Sequence, residues 1–150
     1  MTDRDAIMDG LARYARGVDE RDFAAVGALF TADAAIDYAV EGGAKLAGRE
    51  LASWLAGALA VFHTTQHHLG LPVIEVARDS ARTRVPVIAT HVQRRKDGGD
   101  NTAILYGTYT HEWSRTPDGW RIRALRFESH HGTGTFLGPA EVESLPARPR

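Results

Sequence analysis

The sequence predicts an α+β domain, with helices laid on one face of a curved antiparallel sheet. Up to Phe62 the apolar residues recur mostly at helical spacing, whereas from Thr64 onward they alternate as strand residues do. The breaks between the alternating runs are only a few residues long, at Asp79-Ser80, Gly98-Gly99-Asp100 and Pro117-Asp118-Gly119. Connections that short join antiparallel neighbours, because a parallel crossover needs a dozen residues or more.

Ile7, Leu11, Tyr14 and Val18 fall at i, i+4, i+7 and i+11, so residues 3–18 read as a helix burying a stripe that includes Tyr14. Asp19-Glu20-Arg21-Asp22 interrupts the pattern, and Asp22 is placed to N-cap a second short helix beginning at Phe23. Asp19 has no such capping job. It follows Val18 at the end of the buried stripe, where a side chain can turn inward.

Thr31-Ala32-Asp33 reads as a turn, and 35–40 as a strand ending at a Gly42-Gly43 hairpin turn that leads back through Lys45 to Ala47. After Gly48 a third helix is marked by Leu51, Trp54 or Leu55, Ala58, Leu59 and Phe62. Four strands follow over 64–78, 81–96, 101–115 and 120–131. In the second of these, Val85, Val87, Ala89 and His91 share the inward side, opposite Arg84, Thr90 and Arg94. In the third, Leu105, Gly107, Tyr109, His111 and Trp113 share a face while Ile104 and Tyr106 occupy the other, which leaves the facing of Tyr109 and His111 open. In the last, Trp120 and Ile122 have one parity and Leu125 and Phe127 the other, so a bulge is expected near Arg123 or Ala124. The chain divides into a domain over 1–131 and a Gly/Pro-rich tail over 132–150, with at most one short helix after Pro139; the tail is either mobile or laid over a pocket mouth.

A chain of 150 residues fits one domain able to bury a substantial core. The absence of cysteine excludes disulfides, thiolate metal sites and cysteine nucleophiles. The opening MTDRDAIMDG lacks the basic-then-apolar pattern of a secretory signal, and no stretch approaches the ~20 apolar residues of a membrane span, so a cytoplasmic protein is expected. Arginine supplies sixteen of the eighteen basic residues, but Glu75, Asp79, Asp97, Asp100, Glu112, Asp118 and Glu128 are interspersed with them. That mixture reads as a solvated sheet face rather than a nucleic-acid surface.

Thr64-Thr65-Gln66-His67-His68-Leu69-Gly70 joins titratable side chains directly to the edge of the apolar core. In extended chain successive side chains diverge, so only one of His67 and His68 can face inward. His63 and His67 stand four apart, a metal-binding spacing only if both are helical; the helix is expected to end near Phe62, and no metal is expected. With no glycine-rich phosphate loop and no G-x-S-x-G elbow, no cofactor is expected either.

The series Arg13-Tyr14-Ala15, Asp19-Glu20-Arg21-Asp22-Phe23, Leu29-Phe30-Thr31-Ala32-Asp33-Ala34, Gly48-Arg49-Glu50, His67-His68-Leu69-Gly70 and Gly119-Trp120-Arg121-Ile122 resembles the SnoaL-like branch of the NTF2-like superfamily over residues 5–127. The resemblance implies a cone-shaped α+β barrel with an apolar pocket. It also implies a choice between cofactor-independent dehydratases, isomerases and cyclases and, as the alternative, non-catalytic ligand-binding modules or small subunits of ring-hydroxylating dioxygenases. It matches Tyr14, Asp19, His67 and His91 to the catalytic set, and Tyr38 and Tyr109 to candidates for a second pocket tyrosine; Tyr38, Trp54 and Tyr109 form the expected substrate-binding group. The chemistry that suits these residues is proton transfer beside the carbonyl of a small apolar organic compound, with dehydration ahead of isomerisation or cyclisation. Burial should raise the Asp19 pKa from ~3.9, His67 should carry a proton, and Tyr14 and His91 should donate to the developing enolate oxygen. A homodimer or homotrimer is expected through the outer sheet face, with Ile104, Tyr106 and Trp113 near its surface.

Overall fold

The computed structural model describes residues 1–38 and 45–145. In chain order the elements are α1 (Asp3–Asp19), α2 (Phe23–Gly27), β1 (Phe30–Asp37), β2 (Lys45–Ala47), a 3₁₀ turn (Gly48–Glu50) running into α3 (Leu51–Ala58), and then β3 (Thr64–Leu69), β4 (Val73–Ala77), β5 (Ser80–Arg94), β6 (Asp100–Thr116) and β7 (Gly119–Thr133). The strands form one curved seven-stranded sheet in the order β2-β1-β7-β6-β5-β3, with β4 also on β5. The Gly42-Gly43 turn and the strand end at Val40 lie outside the described residues.

The first helix is held at both ends. Thr2 and Asp5 exchange side-chain and backbone hydrogen bonds in a capping box, and Asp3 accepts from Arg115 Nη1 and Nη2 at 3.0 and 2.8 Å and from Trp120 Nε1 at 3.0 Å. Between the ends, Ile7, Leu11, Tyr14 and Val18 are each at most 3% exposed. Asp22 caps α2 by accepting from Ala25 N at 3.1 Å, an arrangement worth about 1 kcal/mol. A Cβ on Gly17 would lie 2.6 Å from Val26 Cγ2, so α2 can fold back this closely only on a residue without a side chain. In α3 it is Leu51 and Leu55 that are buried, while Trp54 is half-exposed.

The alternation in β5 runs as expected: Ala81, Thr83, Val85, Val87, Ala89, His91 and Gln93 face inward. On β6 the inward set includes Tyr109, His111 and Trp113. Trp113 is therefore not near the outer surface: it shares parity with His111 and packs against α1, 2.9 Å from where a Gly10 Cβ would stand. Ile104 and Tyr106 occupy the outer face, half-buried. Glu112 pairs with Ala124 and Trp113 with Ile122, which leaves Arg123 as the extra residue of a bulge. A second bulge, with no signal in the parity, leaves out His130 between the Tyr106–His131 and Gly107–Ser129 pairs.

Three elements depart from the sequence reading. Thr31-Ala32-Asp33 is strand, not turn, because β1 is recruited as a parallel neighbour of β7; its turn-forming residues are absorbed by a register slip between the Phe30–Ile122 and Ala35–Ala124 pairs. That parallel pair also makes the sheet mixed rather than wholly antiparallel. The run 64–78 splits at Gly70–Pro72, where Pro72 offers no amide to the ladder, yet both halves pair with β5. Finally α3 ends at Ala58, short of Phe62.

Beyond β7 the chain forms no helix among the described residues and crosses back over the end of β5. Gln93, 1% exposed, grips the Leu137 backbone from both sides, accepting from its N–H at 2.8 Å and donating to its carbonyl at 3.0 Å. Val142 is wholly buried and bridges to Arg95, and Leu145 N–H donates to Ala60 O at 2.7 Å. Phe136 thereby packs edge-on against Phe62 and His91, with ring centres 5.3 and 5.2 Å apart.

Candidate active site

The last residue of α1 meets β3 across the open edge of the core. Asp19 Oδ1 receives Thr65 Oγ1 at 3.0 Å and His67 Nδ1 at 2.7 Å, while Oδ2 receives the His67 backbone N–H at 2.8 Å. Thr65 and His67 reach the same carboxylate because alternate residues of a strand share a face; by the same rule His68 is exposed. The His67 side chain is 7% exposed and that of Asp19 22%.

Burial pushes the Asp19 carboxyl upward, but the hydrogen bonds from the His67 ring and amide, the imidazole charge and the Thr65 hydroxyl outweigh it, and the net direction is downward. The expected rise is thus reversed. Desolvation raises a carboxyl pKa only where donors do not offset it, and β3 brings three donors to this carboxylate. The Asp19 carboxylate accepts its hydrogen bond from His67 Nδ1–H, which leaves Nε2 as the ring nitrogen available to exchange a proton.

His91 lies next to the pair, its ring centre 5.9 Å from that of His67. Its Nδ1 is 3.1 Å from Ala89 O, which can only accept, so the proton sits on Nδ1. Burial, followed by the nearby His67 charge, lowers its pKa to about 4. His91 is neutral at neutral pH.

The tyrosines gather deeper in. Tyr14 Oη is 2.8 Å from Tyr38 Oη, and the Tyr14 and Tyr109 rings meet edge-on at 5.6 Å. Tyr38 stacks on Trp54 at 5.1 Å with 14° between the planes. Burial raises all three phenols, Tyr109 to about 12, so they are hydrogen-bond donors rather than bases. Every residue expected at the site therefore falls in one of two groups, Asp19–His67–His91 and Tyr14–Tyr38–Tyr109–Trp54.

Two neighbours, Thr65 and Phe136, were not among the residues the sequence assigned to the site. Thr65 had a usable signal, its parity with His67. Phe136 had none, standing alone in a Gly/Pro-rich stretch. His111 is 1% exposed, and its Nδ1 is 3.0 Å from Thr83 Oγ1, which also accepts from Trp113 Nε1 at 3.0 Å. Its Nε2 is buried without a partner, and burial lowers its pKa to about 3. His63 accepts from Arg94 at 2.9 Å, and no group of three or more metal-binding side chains occurs among the described residues.

A curved sheet closed over helices is the architecture of the NTF2-like α+β barrels. Residues 1–126 match the SnoaL-like domain, and the chain belongs to that family. It is 34% identical to an uncharacterised protein of Mycobacterium tuberculosis, Rv2910c, over 81% of this chain and 82% of that protein. A scytalone dehydratase-like protein from Novosphingobium aromaticivorans superposes with a TM-score of 0.76 at 23% identity, covering 98% of this chain and 95% of that one. A hexachlorocyclohexane dehydrochlorinase, LinA type 2, superposes with a TM-score of 0.73 at 23% identity, over 91% and 93%. At such identities these two structures speak for the fold alone. No helix among the described residues is long and apolar enough to cross a membrane.

Proposed function

We propose that the chain is a cofactor-independent lyase, a dehydratase ahead of an isomerase or cyclase, acting on a small apolar carbonyl compound. The observation that carries this reading is the 2.7 Å contact between Asp19 Oδ1 and His67 Nδ1 at the edge of an apolar core. His67 Nε2 removes a proton from the carbon beside the carbonyl, and Asp19 stabilises the imidazolium that forms. Tyr14, with Tyr38 or Tyr109, donates to the oxygen that gains charge, and neutral His91 supplies a further polar contact. His67 then returns the proton to the departing hydroxyl: the C–O bond breaks, a C=C bond forms, and water leaves. Trp54 and the tyrosine rings present flat apolar surface to the substrate.

One observation favours a non-catalytic ligand-binding module or oxygenase small subunit instead. Phe62 and Phe136 pack on His91, and the two concavities described, of about 510 and 440 Å³, lie elsewhere: one beside Leu71, Arg84 and Pro86, the other beside Asp33, Ile36 and Glu50. The two readings part in heavy water. The enzyme exchanges the α-hydrogens of 2-tetralone for deuterium and dehydrates a β-hydroxy ketone, and His67→Ala lowers both by about two to four orders of magnitude. A wild-type protein inert toward both probes would refute the catalytic reading.

We also propose self-association into a homodimer or homotrimer through the outer sheet face, where Ile88 is 42% exposed and Tyr106 stacks on His131 at 4.3 Å. Sedimentation at micromolar concentration tests it, and a compact monomer would overturn it.

A further inference from the structure

Helix α1 stops in an unusual way. The Asp22 N–H donates to Gly17 O at 2.9 Å and the Arg21 N–H to Val18 O at 3.2 Å, the paired bonds of a Schellman stop. Such a stop needs a left-handed residue just past the cap, the position that glycine fills most easily. Here it is Arg21, with φ of 65°. An arginine held in this conformation calls for a return elsewhere.

The return is visible in its side chain. Arg21 Nη1 donates to Leu59 O at 2.9 Å and Nη2 to Phe62 O at 2.8 Å. Leu59 is the C-cap of α3, whose last carbonyls have no partner within the helix. Phe62 packs on His91 with ring centres 4.9 Å apart, and the next residue, His63, opens the pairing with β5 by donating to Val92 O at 2.7 Å. A single guanidinium therefore ties the chain just after Asp19 to the chain just before Thr65 and His67. The fork suits this work: it is planar and satisfies two carbonyls at once, which a lysine ammonium on a flexible stem does less well.

We infer that Arg21 is a positioning residue for the acid–base pair, setting the approach of α1 to β3 and with it the Asp19–His67 contact. The Asp19 carboxylate, the α1 stop, the Arg21 fork, Phe62 and the Thr65–His67 segment form one closed circuit of covalent and hydrogen bonds. Opening it at Arg21 removes no group from the pair, yet frees its two halves to move apart. This inference deepens the proposed function and rests on Asp19 and His67 being its acid–base pair.

Arg21→Gly is the informative variant, because glycine accepts the left-handed backbone and keeps the α1 stop while deleting the fork. It is expected to stay folded, with a cooperative melt, and to lose or broaden the His67 Nδ1–H resonance in proton–nitrogen NMR. Exchange into 2-tetralone should fall roughly a hundred-fold, the order expected when a displacement of about 1 Å spoils a catalytic geometry. Arg21→Lys should restore both in part. An unchanged His67 Nδ1–H resonance in Arg21→Gly would overturn the inference and leave Arg21 a helix-end ligand only. The NMR arm needs no turnover, so a wild type inert toward the ketone would refute the proposed function without touching this result.

Discussion

The two ends of the first helix carry the same side chain in different company. At the N-terminal end Asp3 is clamped by Arg115 and Trp120, which hold its carboxyl down at about 2. At the C-terminal end Asp19 is also held below its ordinary value, but its partners are a threonine hydroxyl and a histidine. Arginine keeps its proton at every pH a protein survives, so the Asp3 cluster can only fasten. An imidazole can both give and take a ring proton, so the Asp19 cluster can fasten and also move a proton. What separates a clasp from a candidate catalytic pair is the partner's chemistry, since both acids are ionised and both are hydrogen-bonded three times.

The comparison breaks most sharply at His67. His67→Ala should cost about two to four orders of magnitude in the ketone exchange rate, whereas His68→Ala, on the exposed parity, should leave the rate unchanged. Equal losses from both would mean that strand parity does not govern the site. Asp19→Asn comes next: it keeps the shape but loses the charge that fixes the His67 proton, and should lower the rate by at least tenfold while the fold survives. Because three donors converge on this carboxylate, the variant should melt at a lower temperature than the wild type. A melting point unchanged or raised would show that the acid is strained rather than satisfied.

Acid titration sharpens the contrast from the other side. His91 and His111 have folded pKa values of about 4 and about 3, below the ~6.5 of the unfolded chain. The unfolded state therefore takes up protons first. Stability is fully present above ~6.5 and declines as pH falls toward those values, at up to about 1.4 kcal/mol per pH unit for each group. Urea midpoints measured between pH 7 and 4 should drop accordingly, and His111→Phe should flatten the decline. An equal slope in that variant would show that His111 does not contribute. The smallest effect is expected from Asp3→Asn, a slightly lower melting temperature with an unaltered exchange rate; a loss of rate there would mean that the far end of α1 reaches the site.

Much of this arrangement is written in local pattern. The helical stripe from Ile7 to Val18 and the alternation of β5 follow from periodicity, and the change of parity between Ile122 and Leu125 locates the Arg123 bulge. His67 could be chosen over His68 once the resemblance was added, and Asp19 stood out because it capped nothing. Less legible was anything set by a distant partner. Turn-forming Thr31-Ala32-Asp33 became strand because β7 offered an edge, and the pKa of Asp19 went down because donors arrived from a segment more than forty residues away. Arg21 looked like one more charge in an interrupted stretch, since nothing local shows that its fork will reach Leu59 and Phe62.

The parallel pairing of β1 with β7 also has a kinetic meaning. β1 has a near partner in β2, but Phe30 finds its sheet neighbour only at Ile122, so the pairing that joins β1 to the rest of the sheet must wait for most of the chain. Hairpins β5–β6 and β6–β7 close short loops and can form early, while contacts this far apart in sequence carry a large entropic toll and form slowly. Pulsed hydrogen exchange during refolding should find amides of β5 and β6 protected before those that join β1 to β7, and the reverse order would place the nucleus at that parallel pair.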